Sequence, residues 1–169
     1  MVNVLNKYKA ISFDCYGTLI DWETGIWDAA QTLLMKNLSA KIDKDLFLTE
    51  FAYWETELEK QNPAMPYPEL LTEVHKSIAK KYNLATSSEL SGAFGHSVSN
   101  WPAFGDTADS LRKLQTRVKL FILSNVDRES FAKSNTKLGV EFADIYTAED
   151  IGSYKPNPQN FVHMITKLK

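Results

Sequence analysis

The sequence lacks the features that mark secreted, membrane-spanning or nucleic-acid-binding proteins. It has one cysteine among 169 residues, so an internal disulfide scaffold is excluded. No apolar run approaches the roughly 18 residues of a membrane helix, and residues 1–7 resemble neither a signal peptide nor a transit peptide. With 19 basic and 21 acidic residues, the net charge of −2 offers no basic surface for nucleic acid or anionic lipid. We therefore expect a cytoplasmic protein that binds neither nucleic acid nor a membrane.

What the sequence does contain is an ordinary globular composition with many aromatic side chains. Apolar residues make up 44% and aromatic residues 12% of the chain, which is enough for a packed core and a pocket. Glycine and proline are few, at seven and six, so neither disorder nor a collagen-like structure is expected. The length suits one compact unit with a small insertion.

Short apolar runs and helical patterns alternate in the second half of the chain. Residues 10–13, 118–123 and 144–148 predict buried strands. Stretches with helical spacing lie between the last two predicted strands and after them. This alternation of strand and helix through residues 106–169 is typical of parallel βαβ units. The sequence therefore predicts an α/β fold with a parallel sheet.

The segment between the first two predicted strands has a purely helical pattern. Apolar side chains recur there at helical spacing in three stretches, and a fourth, weaker helix is predicted over residues 88–98. We expect an all-helical insertion over residues 21–101. The α/β core is then formed by residues 1–20 and 102–169.

Residues capable of covalent chemistry follow the predicted strands. Asp14 comes directly after the first strand, where a carboxylate is placed either to act as a nucleophile or to accept hydrogen bonds from turn amides. Ser124 and Asn125 end the second strand and suit either an anion contact or an ordinary turn. Lys155 precedes the last helix, either as a point charge for an anion or as an exposed loop lysine.

Taken together and in this order, these motifs resemble the haloacid dehalogenase (HAD) superfamily of hydrolases. Residues 14–19 match its first motif, Ser124-Asn125 its second and Lys155-Pro156 its third. The motifs are most similar to those of the L-2-haloacid dehalogenases (type II). The resemblance implies a Rossmann-like three-layer core with a parallel sheet and an inserted, all-helical cap.

The resemblance also implies an activity and a set of site residues. It implies hydrolysis of the carbon–halogen bond of a small 2-haloacid through a covalent aspartyl ester on Asp14, with no metal or other cofactor. In this mechanism Lys155 steadies the charge on Asp14, and Thr18 orients the nucleophile. The substrate-binding residues that it implies are Tyr16, Ser124, Asn125 and Trp54.

Tyr16 favours a dehalogenase over a phosphatase of the same superfamily. Phosphatases of the superfamily carry a second aspartate at this position, which protonates the leaving alkoxide. A halide leaves without a proton, so this general acid is dispensable in a dehalogenase. Tyr16 therefore favours carbon–halogen cleavage, and a small-molecule phosphatase is the less favoured alternative.

Three glutamates on one predicted cap helix also bear on the substrate. Glu55 stands where the subgroup carries a halide-binding arginine. Another small 2-substituted acid therefore stays open as the substrate. For Glu55, Glu57 and Glu59 together, a solvent-exposed position is expected for two of the three. Cys15, beside Asp14, is expected to be a structural thiol.

The family's fourth motif, on a strand after the last predicted helix, has no counterpart in the sequence. We expect a relative truncated before motif four, with the sheet incomplete at its C-terminal end. The alternative function is a degenerate relative that binds or oligomerises without turnover. Residues 10–13 then form an apolar sheet edge, and we expect a homo-oligomer such as a dimer that covers it, which a monomer in sedimentation would contradict.

Overall fold

The computed structural model describes residues 7–168 and contains a small parallel sheet. The strands are β1 (Ala10–Phe13), β2 (Lys119–Ser124) and β3 (Asp144–Thr147), in the order β1-β2-β3. The register places Phe13 opposite Ile122. β2 is buried over all but its first residue, because it is paired on both edges and covered on both faces. The predicted parallel α/β sheet is therefore confirmed.

Four α-helices and a short 3-10 helix lie between β1 and β2. They are α1 (Trp22–Lys36), α2 (Lys44–Gln61), α3 (Tyr67–Lys81), α4 (Ser88–Gly95) and the 3-10 helix Ser97–Asn100. Aspartates cap the first two helices, since Asp21 accepts from Thr24 N at 3.1 Å and Asp43 from Leu46 N at 2.9 Å. These helices form the predicted all-helical cap. The weak helix predicted over residues 88–98 divides into α4 and the 3-10 helix.

The remaining helices alternate with the strands. They are α5 (Thr107–Gln115), α6 (Arg128–Asn135), α7 (Ala148–Ile151) and α8 (Pro158–Lys167). Asp127 caps α6 by accepting from Ser130 N at 2.8 Å. Because β1 and β2 are parallel, their carboxyl ends lie together at the same end of the sheet.

Cap and sheet share one hydrophobic core. A continuous cluster of buried side chains includes Ile26 and Phe47 from the cap together with Leu120 and Ile122 from β2. Trp101, where the chain returns from the cap, is 1% exposed and belongs to the same cluster. The cap is therefore packed against the core of the sheet, beside the carboxyl end of β1 that carries Asp14.

β1 lies at one edge of the sheet within residues 7–168. Its residues alternate between exposed and half-buried, from Ala10 to Phe13. The predicted homo-oligomer that would cover this edge stays a prediction.

In the described part of the chain, no helix has the length and apolar character to cross a membrane. Residues 1–6 and 169, which belong to the predicted core segments, lie outside the described residues.

Candidate active site

A tight loop after β1 places Asp14 at the edge of a cavity. Leu19 N and Ile20 N donate to the Cys15 carbonyl oxygen at 2.7 and 3.0 Å. Gly17 has a φ of +92°, a backbone conformation that side chains with a Cβ rarely adopt. Cys15 is fully buried, and burial raises the pKa of its thiol, so it is the structural thiol expected. Because the loop turns Cys15 into the core, the neighbouring Asp14 faces outward.

Lys155 brings its ammonium group to Asp14. Its Nζ lies 2.5 Å from Asp14 Oδ1 and also donates to the Leu123 carbonyl oxygen at 2.8 Å, at the end of β2. Asn125 holds the Lys155 backbone on both sides: its Oδ1 accepts from Lys155 N at 2.6 Å, and its Nδ2 donates to Lys155 O at 3.0 Å. The side chain of Asn125 therefore joins the second and third motifs. Together these motifs hold the Lys155 ammonium against the carboxylate of Asp14 in the first motif.

These residues line a cavity of about 320 Å³ between the sheet edge and the cap. Five of the seven site residues predicted from the sequence meet in its wall: Asp14, Tyr16, Ser124, Asn125 and Lys155. Thr18 and Trp54 are not among the lining residues, and the roles expected for them stay predictions. Ser124 is 2% exposed, and its Oγ has no hydrogen-bond partner among the described residues.

The hydroxyl of Tyr16 is engaged away from Asp14. It shares a hydrogen bond of 3.0 Å with Ser134 Oγ on α6, and the ring meets Trp101 edge-on at 5.5 Å. Burial raises the pKa of the Tyr16 hydroxyl, so it stays protonated. The ring of Tyr16 therefore belongs to the cavity wall, while its hydroxyl is tied to the core.

Replacing Tyr16 by phenylalanine is expected to leave the haloacid hydrolysis that the sequence predicts at Asp14 intact. The ring is kept and one hydrogen bond to Ser134 is lost, so we expect a stability loss of about 1 kcal/mol and a reaction rate within about twofold of wild type. Thermal unfolding and halide-release assays measure the two effects. A fall in rate of more than tenfold without unfolding would show that the hydroxyl takes part in the reaction.

The cap wall carries two glutamates. Glu55 and Glu59 line the cavity from α2, with Glu55 accepting from Tyr67 Oη at 2.6 Å and Glu59 from Asn125 Nδ2 at 3.3 Å. Burial raises the pKa of Glu55 to about 7. Burial, followed by repulsion from Glu55, raises the pKa of Glu59 to about 8.

The expectation of solvent exposure for two of these three glutamates was wrong. Only Glu57 is on the outer face, where it pairs with Lys60 at 2.9 Å. The i, i+4 spacing of Glu55 and Glu59 places both on one side of the helix. That spacing was the available sequence signal, but it does not say which side faces the cavity.

The family model of haloacid dehalogenase-like hydrolases matches this chain over residues 8–169. Because the match spans nearly the whole sequence, the chain belongs to this family of hydrolases. No curated protein sequence matches it.

Solved structures that resemble this chain cover 95% of its length. A defluorinating L-2-haloacid dehalogenase gives a TM-score of 0.81 at 17% identity, and the chain covers 69% of it. The L-2-haloacid dehalogenase from Xanthobacter autotrophicus with chloropropionic acid covalently bound gives 0.77 at 16% identity, with 65% of that protein covered. The HAD-hydrolase YfnB from Bacillus subtilis, bound to magnesium, gives 0.74 at 19% identity, with 74% covered. At these identities the likeness shows a shared fold.

The residues around Asp14 do not fit a magnesium ion of the kind bound to YfnB. Within residues 7–168, no three His, Cys, Asp or Glu side chains are placed to hold a metal together. The ammonium of Lys155 already lies 2.5 Å from Asp14 Oδ1, and the residue two positions later is Tyr16 rather than a carboxylate. Mg²⁺ is usually held by one or two carboxylates, with water completing the octahedral geometry, and here the carboxylate at the end of β1 is already paired with an ammonium group.

Proposed function

We propose that the protein hydrolyses the carbon–halogen bond of a small 2-haloacid through a covalent ester on Asp14, without a metal. The observation that carries the proposal is the 2.5 Å contact between Lys155 Nζ and Asp14 Oδ1 at the edge of the cavity. A carboxylate neutralised by a lysine can accept an anionic substrate at close range, and its free oxygen is available as a nucleophile. Family membership supports a hydrolase, and the covalent chloropropionic acid in the Xanthobacter autotrophicus enzyme supports an ester.

In the first step, an oxygen of Asp14 attacks the halogen-bearing carbon of the substrate. A carbon–oxygen bond forms while the carbon–halogen bond breaks, and the halide leaves with the bonding electron pair. No proton is needed, because halides are anions of strong acids. This agrees with a Tyr16 hydroxyl that is engaged with Ser134 rather than with the leaving group.

In the second step, water attacks the carboxyl carbon of the Asp14 ester. The Asp14 carboxylate is regenerated, and the products are a 2-hydroxy acid and a proton. Lys155 stabilises the negative charge that develops on the Asp14 oxygen during this step. The cap, for which we propose residues 21–101, covers the cavity and excludes bulk water.

Ser124 and Asn125 take different roles in this proposal. The Ser124 hydroxyl has no partner among the described residues, so it is free to donate to the substrate carboxylate. The amide of Asn125 is engaged on both of its atoms with the Lys155 backbone, and it therefore acts as a positioning residue. Thr18 and Trp54 keep the orienting and substrate-binding roles that the family resemblance implies, as predictions.

Incubation with 2-chloropropionate tests the proposal. We expect halide release over many turnovers and a transient adduct, located by mass spectrometry on the peptide that contains Asp14. In water with heavy oxygen, a single turnover should place the label in Asp14 rather than in the product. The absence of both halide and adduct contradicts the proposal.

Two other outcomes support the alternatives. A single equivalent of halide with a lasting adduct supports a binding protein without turnover. Phosphate release from phosphate esters, without halide release, supports a phosphatase.

A further inference from the structure

The cap side of the cavity combines negative charge with aromatic rings. Glu55 and Glu59 line it together with Trp22, Phe51 and Tyr67. The rings of Trp22 and Phe51 are stacked at 5.6 Å between centroids. Among the described residues that line this cavity, Lys155 is the one basic side chain, and its Nζ is engaged with Asp14. The cap side therefore offers carboxylates and aromatic rings, and the lining residues on that side include no cation to match them.

The direct hydrogen-bond partners of the two glutamates are neutral donors. Glu55 accepts from the Tyr67 hydroxyl and Glu59 from the Asn125 amide. No salt bridge to either glutamate occurs within residues 7–168, although Lys60 on the same helix pairs with Glu57. Burial raises the pKa of both carboxyl groups, and repulsion from Glu55 raises the pKa of Glu59 further, so the site disfavours negative charge on both glutamates.

An independent feature of the same cavity indicates a ligand. Ser124 is 2% exposed, it lines the cavity, and its Oγ is buried without a partner among the described residues. Buried hydroxyls are nearly always hydrogen-bonded in native proteins, so an unpaired one in a cavity wall is a donor that a ligand can satisfy. Ser124 lines the cavity from the end of β2, whereas the two glutamates line it from α2.

We propose that the cap side of the cavity binds an ammonium group, so that the substrate is a small halogenated acid that also carries a cationic amine. This inference rests on the proposed function and names its substrate class. The carboxylate of such a zwitterion would be held by Ser124 and Lys155, and its ammonium by Glu55, Glu59 and the aromatic faces. Carboxylates supply the charge, and aromatic faces attract a cation through their ring quadrupole. A cavity of about 320 Å³ limits the ligand to a short molecule.

The proposal has a pH dependence whose sign is set by the glutamates. Raising the pH through about 7 and about 8 ionises Glu55 and Glu59, so the affinity for an ammonium rises while the affinity for a simple carboxylate falls. The other titratable groups around them are Asp14, Lys155, Tyr16, Tyr67 and Tyr154. The pKa of each of these tyrosines is raised by burial, so their hydroxyls stay neutral in this range.

Binding of three unhalogenated probes to the whole chain tests the inference without any reaction. Propylammonium, propionate and 3-aminopropionate share a three-carbon skeleton and differ in charge. By ligand-observed NMR at pH 8, we expect propylammonium and 3-aminopropionate to bind about tenfold more tightly than propionate. Between pH 6 and pH 9, the affinity for propylammonium should rise about tenfold. Equal or weaker binding of propylammonium relative to propionate at pH 8 overturns the inference.

Glutamine variants of the cap glutamates provide the second arm. The double variant Glu55→Gln/Glu59→Gln keeps the side-chain volume and an acceptor oxygen for Tyr67 and Asn125. It should lose the preference for propylammonium together with its pH dependence. Glu57→Gln, on the outer face of the same helix, is the matched control and should bind all three probes as the wild type does. An unchanged preference in the folded double variant also overturns the inference.

The outcomes separate this inference from the proposed function. Ammonium binding without halide release from 2-chloropropionate would overturn the proposed function and leave the cation site standing. Halide release without a preference for ammonium would overturn the cation site and leave the proposed function standing. The two results are independent because the unhalogenated probes measure binding alone.

Discussion

Replacement of Asp14 by asparagine is expected to lower the rate of halide release by at least about four orders of magnitude. The amide has nearly the same shape as the carboxylate, and its oxygen can still accept from Lys155. It carries no negative charge, however, and is a very poor nucleophile toward a saturated carbon. The covalent adduct should therefore disappear together with the halide. Initial rates by halide detection, with intact mass spectrometry on the same samples, measure both effects.

The fold of this variant should change little. The Asp14 side chain is 43% exposed, so its ion pair with Lys155 contributes about 1 kcal/mol or less to stability. Asp21→Asn is a suitable control, since Asp21 caps α1 and asparagine is an equally good cap residue. Mass spectrometry also excludes deamidation of the new asparagine back to aspartate. An Asp14→Asn protein that retains more than about a hundredth of the wild-type rate would show that another group attacks the substrate.

Replacement of Gly25 by alanine is expected to destabilise the protein by about 3 kcal/mol, although alanine is the better helix former. Gly25 is buried on α1 against the indole of Trp101. A Cβ at this position would lie 2.2 Å from Trp101 Cγ and 2.6 Å from Trp101 Cβ. The indole cannot retreat, because its Nε1 donates to Ser97 Oγ at 3.1 Å and Tyr16 meets its ring edge-on. Overpacking should therefore outweigh the roughly 1 kcal/mol that helix propensity gains.

Thermal unfolding measures this effect against a matched control. For a chain of this size, about 3 kcal/mol corresponds to a midpoint about 6–12 °C lower. Gly92 is also helical, but a Cβ there meets no atom within 4 Å. Gly92→Ala should therefore increase the free energy of unfolding by up to about 1 kcal/mol and raise the midpoint. If both alanine variants raise the midpoint, the close contact between α1 and Trp101 does not constrain the packing of the cap.

The strands and the motifs at their ends could be predicted from local sequence. The first strand has the predicted bounds, and the second is displaced by one residue, from 118–123 to Lys119–Ser124. Buried parallel strands are short apolar runs, and their polar ends are sharply marked. Asp14 and Ser124 stand at such ends, whereas Lys155 lies in a later loop, and its contact with Asp14 was predicted from the resemblance to the HAD superfamily.

The hydrogen bonds within the site could not be predicted in the same way. The sequence does not show that Asn125 binds the Lys155 backbone rather than a ligand, or that the Tyr16 hydroxyl turns to Ser134. These partners are 30 and 118 positions away in the chain. Their distances depend on how the helices pack on the sheet, and helical or strand periodicity carries no information about that.

By itself, the sequence determined the parallel α/β class and the helical insertion. Both follow from local patterns, because apolar periodicity and polar strand ends are properties of neighbouring residues. The choice of Asp14 as the candidate nucleophile came from the resemblance of the motifs to the HAD superfamily. The tertiary structure alone decided the charge of the cavity. The orientation of α2 turns Glu55 and Glu59 toward Asp14 and leaves Glu57 outside. The helix has two polar sides, and only its packing against the sheet selects which of them faces the cavity.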